Sequence, residues 1–251
     1  MTEPDLSFED PISDDHRPYE MTNDIRTKFN AVSTATLAGQ MQRRGSRNSF
    51  LNGLKPLNDG QRMLGYAHTL RYVPRREDFE NRRSGPNAQR RAVESIEAES
   101  VLICEARGEA NAGTIGDIFA MRIKVRGATG FITDGALRDT PMIAKIDFPV
   151  YHLSSHAATL GRIHTPLDHQ VPIVCAGVTV FPGDILVGDG EGVCVIPALL
   201  AEDVANDAYD QELREEWAVE RVAAGDSSIG TFPLADDRRD EFEAWLAARK
   251  G

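Results

Sequence analysis

This sequence is short of cysteine, of long apolar runs and of positive charge, and each shortage removes a class of protein. Three cysteines stand among 251 residues, an odd and scattered number that excludes a disulfide framework. Cys104, Cys175 and Cys194 lie in VLICEA, PIVCAG and GVCVIP and read as reduced thiols of the core. No run of about 18 apolar residues is present, so no membrane-spanning helix is expected. The opening MTEPDLSFEDPISDDHRPYE is acidic and lacks the basic-then-apolar layout of a secretion signal. A cytoplasmic protein is expected. Lys and Arg total 28 against 39 Asp and Glu, a net charge of −11. Long-range repulsion therefore opposes a nucleic-acid or anionic-membrane partner, while a local basic pocket stays open. There is no internal repeat and no glycine fingerprint of a dinucleotide or adenosyl site.

The length suits one domain with extensions. Residues 1–22 mix Pro and Asp with few apolar side chains and are expected to form a flexible arm. An α/β domain is expected over 23–198, and a helical extension over 199–251, packed on the domain or on a neighbouring subunit. A helical pattern begins at Ile25, and Ser33 or Thr34 can cap a second one through Ala35, Leu37 and Met41, which stops at Gly45. MLGYAHTLRYV, Met63 to Val73, has the branched and aromatic density of a strand closed by Pro74. Arg75 to Gln89 is a polar loop, followed by a helix from about Ala88 to Glu97. VLICEARG is a buried-strand run, and Asp117 to Val125 carries Ile118, Met121 and Val125 at helical spacing before a second strand, GFIT. This order predicts a crossover unit with parallel strands whose loops share one edge. FPVY and a meander of VPIVCAGVTV, ILVGD and VCVIP follow, with turns at Pro182-Gly183-Asp184 and Gly190-Glu191-Gly192. Val204, Ala208, Leu213 and Trp217 then mark a long amphipathic helix, and Phe242, Trp245 and Leu246 a last short one.

Two loops carry candidate chemistry. TDGALRD, Thr133 to Asp139, reads as an Asp-Gly turn that sets a cation, Arg138, beside an anion, Asp139, at the carboxyl end of a strand. Arg-Asp neighbours also serve as plain structural ion pairs, and these residues alone leave both readings open. GTIGD, Gly113 to Asp117, can turn backbone N–H groups toward a carboxylate or phosphate, or can be an ordinary strand-to-helix turn. His152, His156, His164 and His169 cluster in one segment, but a strand followed by a loop does not put them on one face for zinc.

Together the two loops resemble a known family. GTIGDIFAMRIKVRGATGFITDGALRD, FPVYH, VFPGDILVGDGEGVCVIP and the early VSTATLAGQM look like the pattern of RraA-like proteins, which include 4-hydroxy-4-methyl-2-oxoglutarate aldolases and regulators of ribonuclease activity. The resemblance runs from about Ile25 to Pro197. It implies a layered α/β sandwich like the phosphohistidine swivelling domain, assembled as a homotrimer or hexamer with the active site at a subunit interface. It also implies a metal-dependent aldolase that cleaves a 4-hydroxy-2-oxo dicarboxylic acid to pyruvate plus a carbonyl compound, with oxaloacetate decarboxylation as a companion activity. By position, Asp139 would ligate Mg²⁺ or Mn²⁺, and Arg138 would contact substrate oxygens. Asp117 would orient a metal-bound water, and the backbone of Gly113, Thr114, Ile115 and Gly116 would hold the pyruvyl carboxylate. One position departs: the acid usual three residues after the Asp is Met142 here, and Asp147, Asp189 and Glu191 are the acids that could take its part. The family also implies a rival, a non-catalytic protein that binds and inhibits a ribonuclease.

Overall fold

The computed structural model describes residues 19–80 and 85–250; most of the expected N-terminal arm, residues 1–18, lies outside the described residues. The helices are α1 (Asn23–Ala31), α2 (Thr34–Arg43), α3 (Glu77–Glu80), α4 (Ala88–Ser95), α5 (Asp117–Val125), α6 (Thr140–Ile143), α7 (Ala201–Ala223) and α8 (Arg239–Lys250). The strands are β1 (Lys55–Pro56), β2 (Met63–Pro74), β3 (Ser100–Glu105), β4 (Gly130–Leu137), β5 (Val150–Ser155), β6 (His164–His169), β7 (Ile173–Cys175), β8 (Val178–Val180), β9 (Ile185–Gly188) and β10 (Val193–Ile196). The result is a mixed α/β fold. Its main sheet runs β1-β5-β4-β3-β2-β9-β10, with β6 also on β2. The four central strands, β5, β4, β3 and β2, pair in parallel. The expected crossover from β3 through α5 to β4 is thus present, and it leaves the loops after β3 and β4 on one edge.

Alternation along the strands explains the layering. Leu102, Cys104 and Phe131 face the helices α4 and α5, while Val101, Ile103 and Ile132 face Leu51, Tyr151 and the β7–β8 hairpin. Parallel strands covered on both faces read as continuous apolar runs, as VLIC does. A third apolar group joins α1, α2 and α7 to β9 and β10 through Phe29, Leu37, Met41, Ile185, Ile196 and Val204. Lys28 bonds Asn206 at 2.7 Å and Gln40 bonds Gln211 at 2.7 Å, so α7 is tied to both N-terminal helices of its own chain. Ser33 caps α2, its hydroxyl accepting from Thr36 N, as the sequence pattern predicts.

Three local expectations are corrected. The polar loop after Pro74 holds the short helix α3. VPIVCAGVTV is not one strand: Ala176 and Gly177 have φ of 48° and 82°, the double left-handed geometry of a tight hairpin turn, and split it into β7 and β8. Asp134-Gly135 is not a turn but an irregular step inside β4. The buried Asp134 carboxylate accepts from the amides of Ala106, Gly108 and Ala176, pinning the β3 exit to the hairpin. The expected helix α5 is present, with Ile118, Met121 and Val125 78, 45 and 70 % exposed on its outer face and Ala120 and Ile123 facing the core.

Asp184, in the turn before β9, accepts from Phe181 N at 2.8 Å in a buried setting. Burial lifts its carboxyl from 3.8 to about 7, against the opposing bonds from Phe181 and Ala198 amides. A raised carboxyl contributes stability that is complete below the unfolded value and lost as pH rises through the folded one. Asp184→Asn keeps the acceptor without the charge. Urea unfolding at about pH 5 and about pH 8 is expected to show a flatter pH dependence and a gain over wild type at the higher pH; a loss there would contradict this role.

Candidate active site

The residues between β3 and α5 run beside the end of β4 almost as an added strand. Thr114 N donates to Ala136 O at 2.8 Å, Arg138 N donates to Ile115 O at 3.0 Å, and Gly113 bridges Ala136 in the parallel sense. This pairing brings the two candidate loops into direct contact. A Cβ at Gly113 would stand 2.5 Å from Arg138 Cβ, and one at Gly116 would stand 2.7 Å from Asp139 Oδ2. The absence of a side chain at both positions permits this close approach, and at Gly113 backbone stands in the way of one.

Asp139 sits at φ 58°, ψ 31°, in the left-handed region, and precedes α6. Its carbonyl accepts from Met142 N and Ile143 N, but its side chain makes no capping bond. The carboxylate therefore has no duty in the helix it precedes. It lies against Gly116, with Arg138 Nε 3.6 Å from Oδ1, and the two side chains are 43 and 35 % exposed. Asp117 opens α5, its Oδ1 accepting from Ile118 N at 2.8 Å, where the helix dipole favours an acid.

The stretch expected to hold a carboxylate divides in two. Gly113 N is committed to Ala158 O at 2.9 Å and Thr114 N to Ala136 O, so these residues shape the turn and do not offer their amides. The amides of Ile115, Gly116 and Asp117 have no acceptor among the described residues. They gather at the positive end of α5, the natural place for an anion. Arg138, Asp139 and Gly116 are thus brought together, with Asp117 next in the chain.

Other expected residues are not part of this patch. Asp189 accepts from Thr34 N and Oγ1, both at 2.7 Å, and holds the start of α2. Met142 is half exposed on α6, with Lys145 Nζ 3.9 Å from its sulfur. His156 Nδ1 accepts from Ala158 N. His164 is buried beside the Tyr72 ring, and burial with Arg107 nearby pushes it down to about 4. Among the described residues no three His, Cys, Asp or Glu side chains converge where a metal could be held. A cavity of about 440 Å³ lined by Asn52, Leu54, Glu105, Arg107, Asp134 and Leu153 does not include Arg138 or Asp139. The candidate site is an open surface of the single chain. Two residues below it were not expected from the sequence. Tyr72 and Gln89 both donate to Thr114 O from the core, and neither a strand tyrosine nor a glutamine in a polar helix start signals such a part.

Comparison with known proteins identifies the family. The RraA-like family model, described as Aldolase/RraA, matches residues 34–195, and the chain belongs to that family. A protein of Halalkalibacterium halodurans named "Putative 4-hydroxy-4-methyl-2-oxoglutarate aldolase" is 29 % identical over 211 residues, covering 80 % of this chain and 91 % of that protein. The crystal structure of Streptomyces coelicolor RraAS2, described as an unusual member of the RNase ES inhibitor RraA protein family, is similar with a TM-score of 0.73 and 30 % identity over 80 % of this chain and 98 % of that one. An uncharacterized protein from Pseudomonas syringae pv. tomato shares the fold, with a TM-score of 0.73 at 23 % identity over 84 % of this chain and 98 % of that one.

The two glycines should respond differently to substitution. At Gly113 the new Cβ meets Arg138 Cβ and, at 3.0 Å, Arg138 N, so backbone must move. Gly113→Ala is expected to cost about 1–3 kcal/mol, as overpacking does. At Gly116 only the Asp139 carboxylate is in the way. Gly116→Ala should leave the melting temperature nearly unchanged, and calorimetry showing equal losses for both would refute the distinction.

Proposed function

We propose that the chain is a divalent-metal-dependent aldolase that cleaves a 4-hydroxy-2-oxo dicarboxylic acid to pyruvate and a second carbonyl compound, and that it also decarboxylates oxaloacetate. The observation that carries this reading is the contact of the Asp139 carboxylate with Gly116, beside free amides and the Arg138 guanidinium. One hard anionic oxygen ligand, one cation and a set of N–H donors then share a patch. Asp139 fits Mg²⁺ or Mn²⁺ because its carboxylate is half exposed and unused by α6, and these ions take carboxylate oxygen while keeping several waters. The metal, when bound, supplies Lewis acidity at the 2-oxo group.

The chain's own groups do the rest. The Ile115 and Gly116 amides bind the carboxylate next to the oxo group. Arg138 holds negative charge as it grows on the substrate oxygens. Asp117, adjoining Gly116, orients the group that takes the proton from the 4-hydroxyl. Neither loop contains a lysine for a Schiff base.

The outward face of α5 supports assembly as a homotrimer or hexamer. Ile118, Met121 and Val125 are exposed beside Asp117, and Met142 is exposed on α6. An apolar patch of this kind is best covered by protein, and a second copy there would enclose the open site. Ile118→Glu is accordingly expected to yield smaller species in sedimentation and a lower specific activity. Unchanged sedimentation would remove α5 from the interface.

Pyruvate release from 4-hydroxy-4-methyl-2-oxoglutarate and from oxaloacetate, with Mg²⁺ or Mn²⁺ and with chelator, tests the activity. Asp139→Ala is expected to abolish metal-dependent turnover with assembly intact, and Arg138→Ala to slow it about 10²-fold or more. Full activity in Asp139→Ala would sink the mechanism. The similarity to RraAS2 favours one second reading, a non-catalytic protein that binds and inhibits a ribonuclease. It predicts no pyruvate from either substrate and ribonuclease inhibition that survives Asp139→Ala.

A further inference from the structure

Beneath the glycine turn lies a closed set of hydrogen bonds that reaches the ligand side through a single peptide. Tyr72 OH donates to Thr114 O at 3.3 Å, and Gln89 Nε2 donates to the same oxygen at 2.6 Å and to Tyr72 OH at 2.9 Å. Tyr72, Gln89 and Thr114 are 0, 5 and 1 % exposed. The remaining polar groups of Thr114 are also spent: its amide goes to Ala136 O, and its hydroxyl lies 2.9 Å from the same oxygen and 3.2 Å from Thr133 Oγ1. Two donors on one carbonyl, reached from β2 and from α4, hold the plane of the Thr114–Ile115 peptide.

A trans peptide is planar, with its C=O and N–H pointing in opposite directions. Drawing the Thr114 carbonyl into the core therefore turns the Ile115 amide away from it, toward the surface shared with Arg138 and Asp139. That amide has no acceptor among the described residues. On the following peptide, Arg138 N bonds Ile115 O, so the plane that carries the Gly116 amide is held as well.

We infer that Tyr72 and Gln89 are positioning residues for oxo-acid binding, which aim the Ile115 N–H at the substrate carboxylate by fixing the Thr114 carbonyl from below. The inference rests on the aldolase reading above. Burial raises the Tyr72 phenol well above its ordinary range, so it remains a donor throughout any assay. Cys104 touches the same hydroxyl, Sγ to OH at 3.9 Å, but not Thr114 O, and marks the boundary of the device.

The test uses oxalate, a planar mimic of the pyruvate enolate, titrated calorimetrically into the full-length protein with Mn²⁺. Tyr72→Phe keeps the ring and removes one donor; Gln89→Met keeps the volume and removes the other. Each is expected to weaken oxalate about tenfold, the effect of one misdirected hydrogen bond to a charged group. Mn²⁺ affinity without oxalate should not change, because Asp139 is untouched, and KM should rise more than kcat falls. Cys104→Ala, a change in the same core, should bind oxalate as wild type does. Wild-type oxalate affinity in both donor variants would overturn the positioning role and leave the aldolase reading standing. An equal loss in Cys104→Ala would also overturn it, by making core packing the cause. Wild-type protein that fails to bind oxalate with Mn²⁺ would overturn the aldolase reading, and this inference with it.

Discussion

The pairing of residues 113–115 with the end of β4 is the constraint on which the candidate site depends. Three contacts, Thr114 to Ala136, Arg138 to Ile115 and the bridge between Gly113 and Ala136, set the start of α5 against the loop that follows β4. The parallel order of β3 and β4 makes this possible, because it delivers both loops to one edge of the sheet. Gly113 and Gly116 make it close, since a side chain at either would meet Arg138 or Asp139. A cation and amides with no acceptor among the described residues are then gathered by backbone geometry, in a protein whose net charge of −11 is unfavourable to anions at long range.

Support for that pairing comes from both faces of the sheet. On one, Tyr72 and Gln89 hold the turn from the core. On the other, Asp134 ties the β3 exit to the β7–β8 hairpin through three amides, and burial raises its carboxyl against those bonds. An ionisable group placed so deeply is tolerated because its acceptor capacity is filled by backbone donors. The edge that carries the candidate site is thus built on a hydrogen-bonded base, while the Arg138 and Asp139 side chains themselves stay partly exposed.

Much of this was legible in residue patterns because the signals were local. Ser33 before an apolar helical series, Pro74 after a branched run, and a glycine turn ahead of Ile118, Met121 and Val125 each specify an element within a few residues. The patterns misled where tertiary context decides. Asp134-Gly135 has the composition of a turn, yet sits within β4 because Asp134 finds its donors in distant loops. The apolar spacing on α5 correctly marked a helix, but its face of Ile118, Met121 and Val125 is exposed, since periodicity locates a face and not what covers it. Tyr72 and Gln89 could not have been tied to Thr114, because 42 and 25 positions of chain separate them from it.

The backbone at Asp139 narrows what this position can become over time. At φ 58°, ψ 31° glycine, asparagine and aspartate are the residues accommodated with least strain. Of those three, aspartate alone carries charge. The mildest replacements therefore keep the loop and the fold while discarding the anion. A lineage of this architecture can therefore lose the carboxylate at this position with little backbone strain, leaving an intact scaffold free to be selected for binding alone.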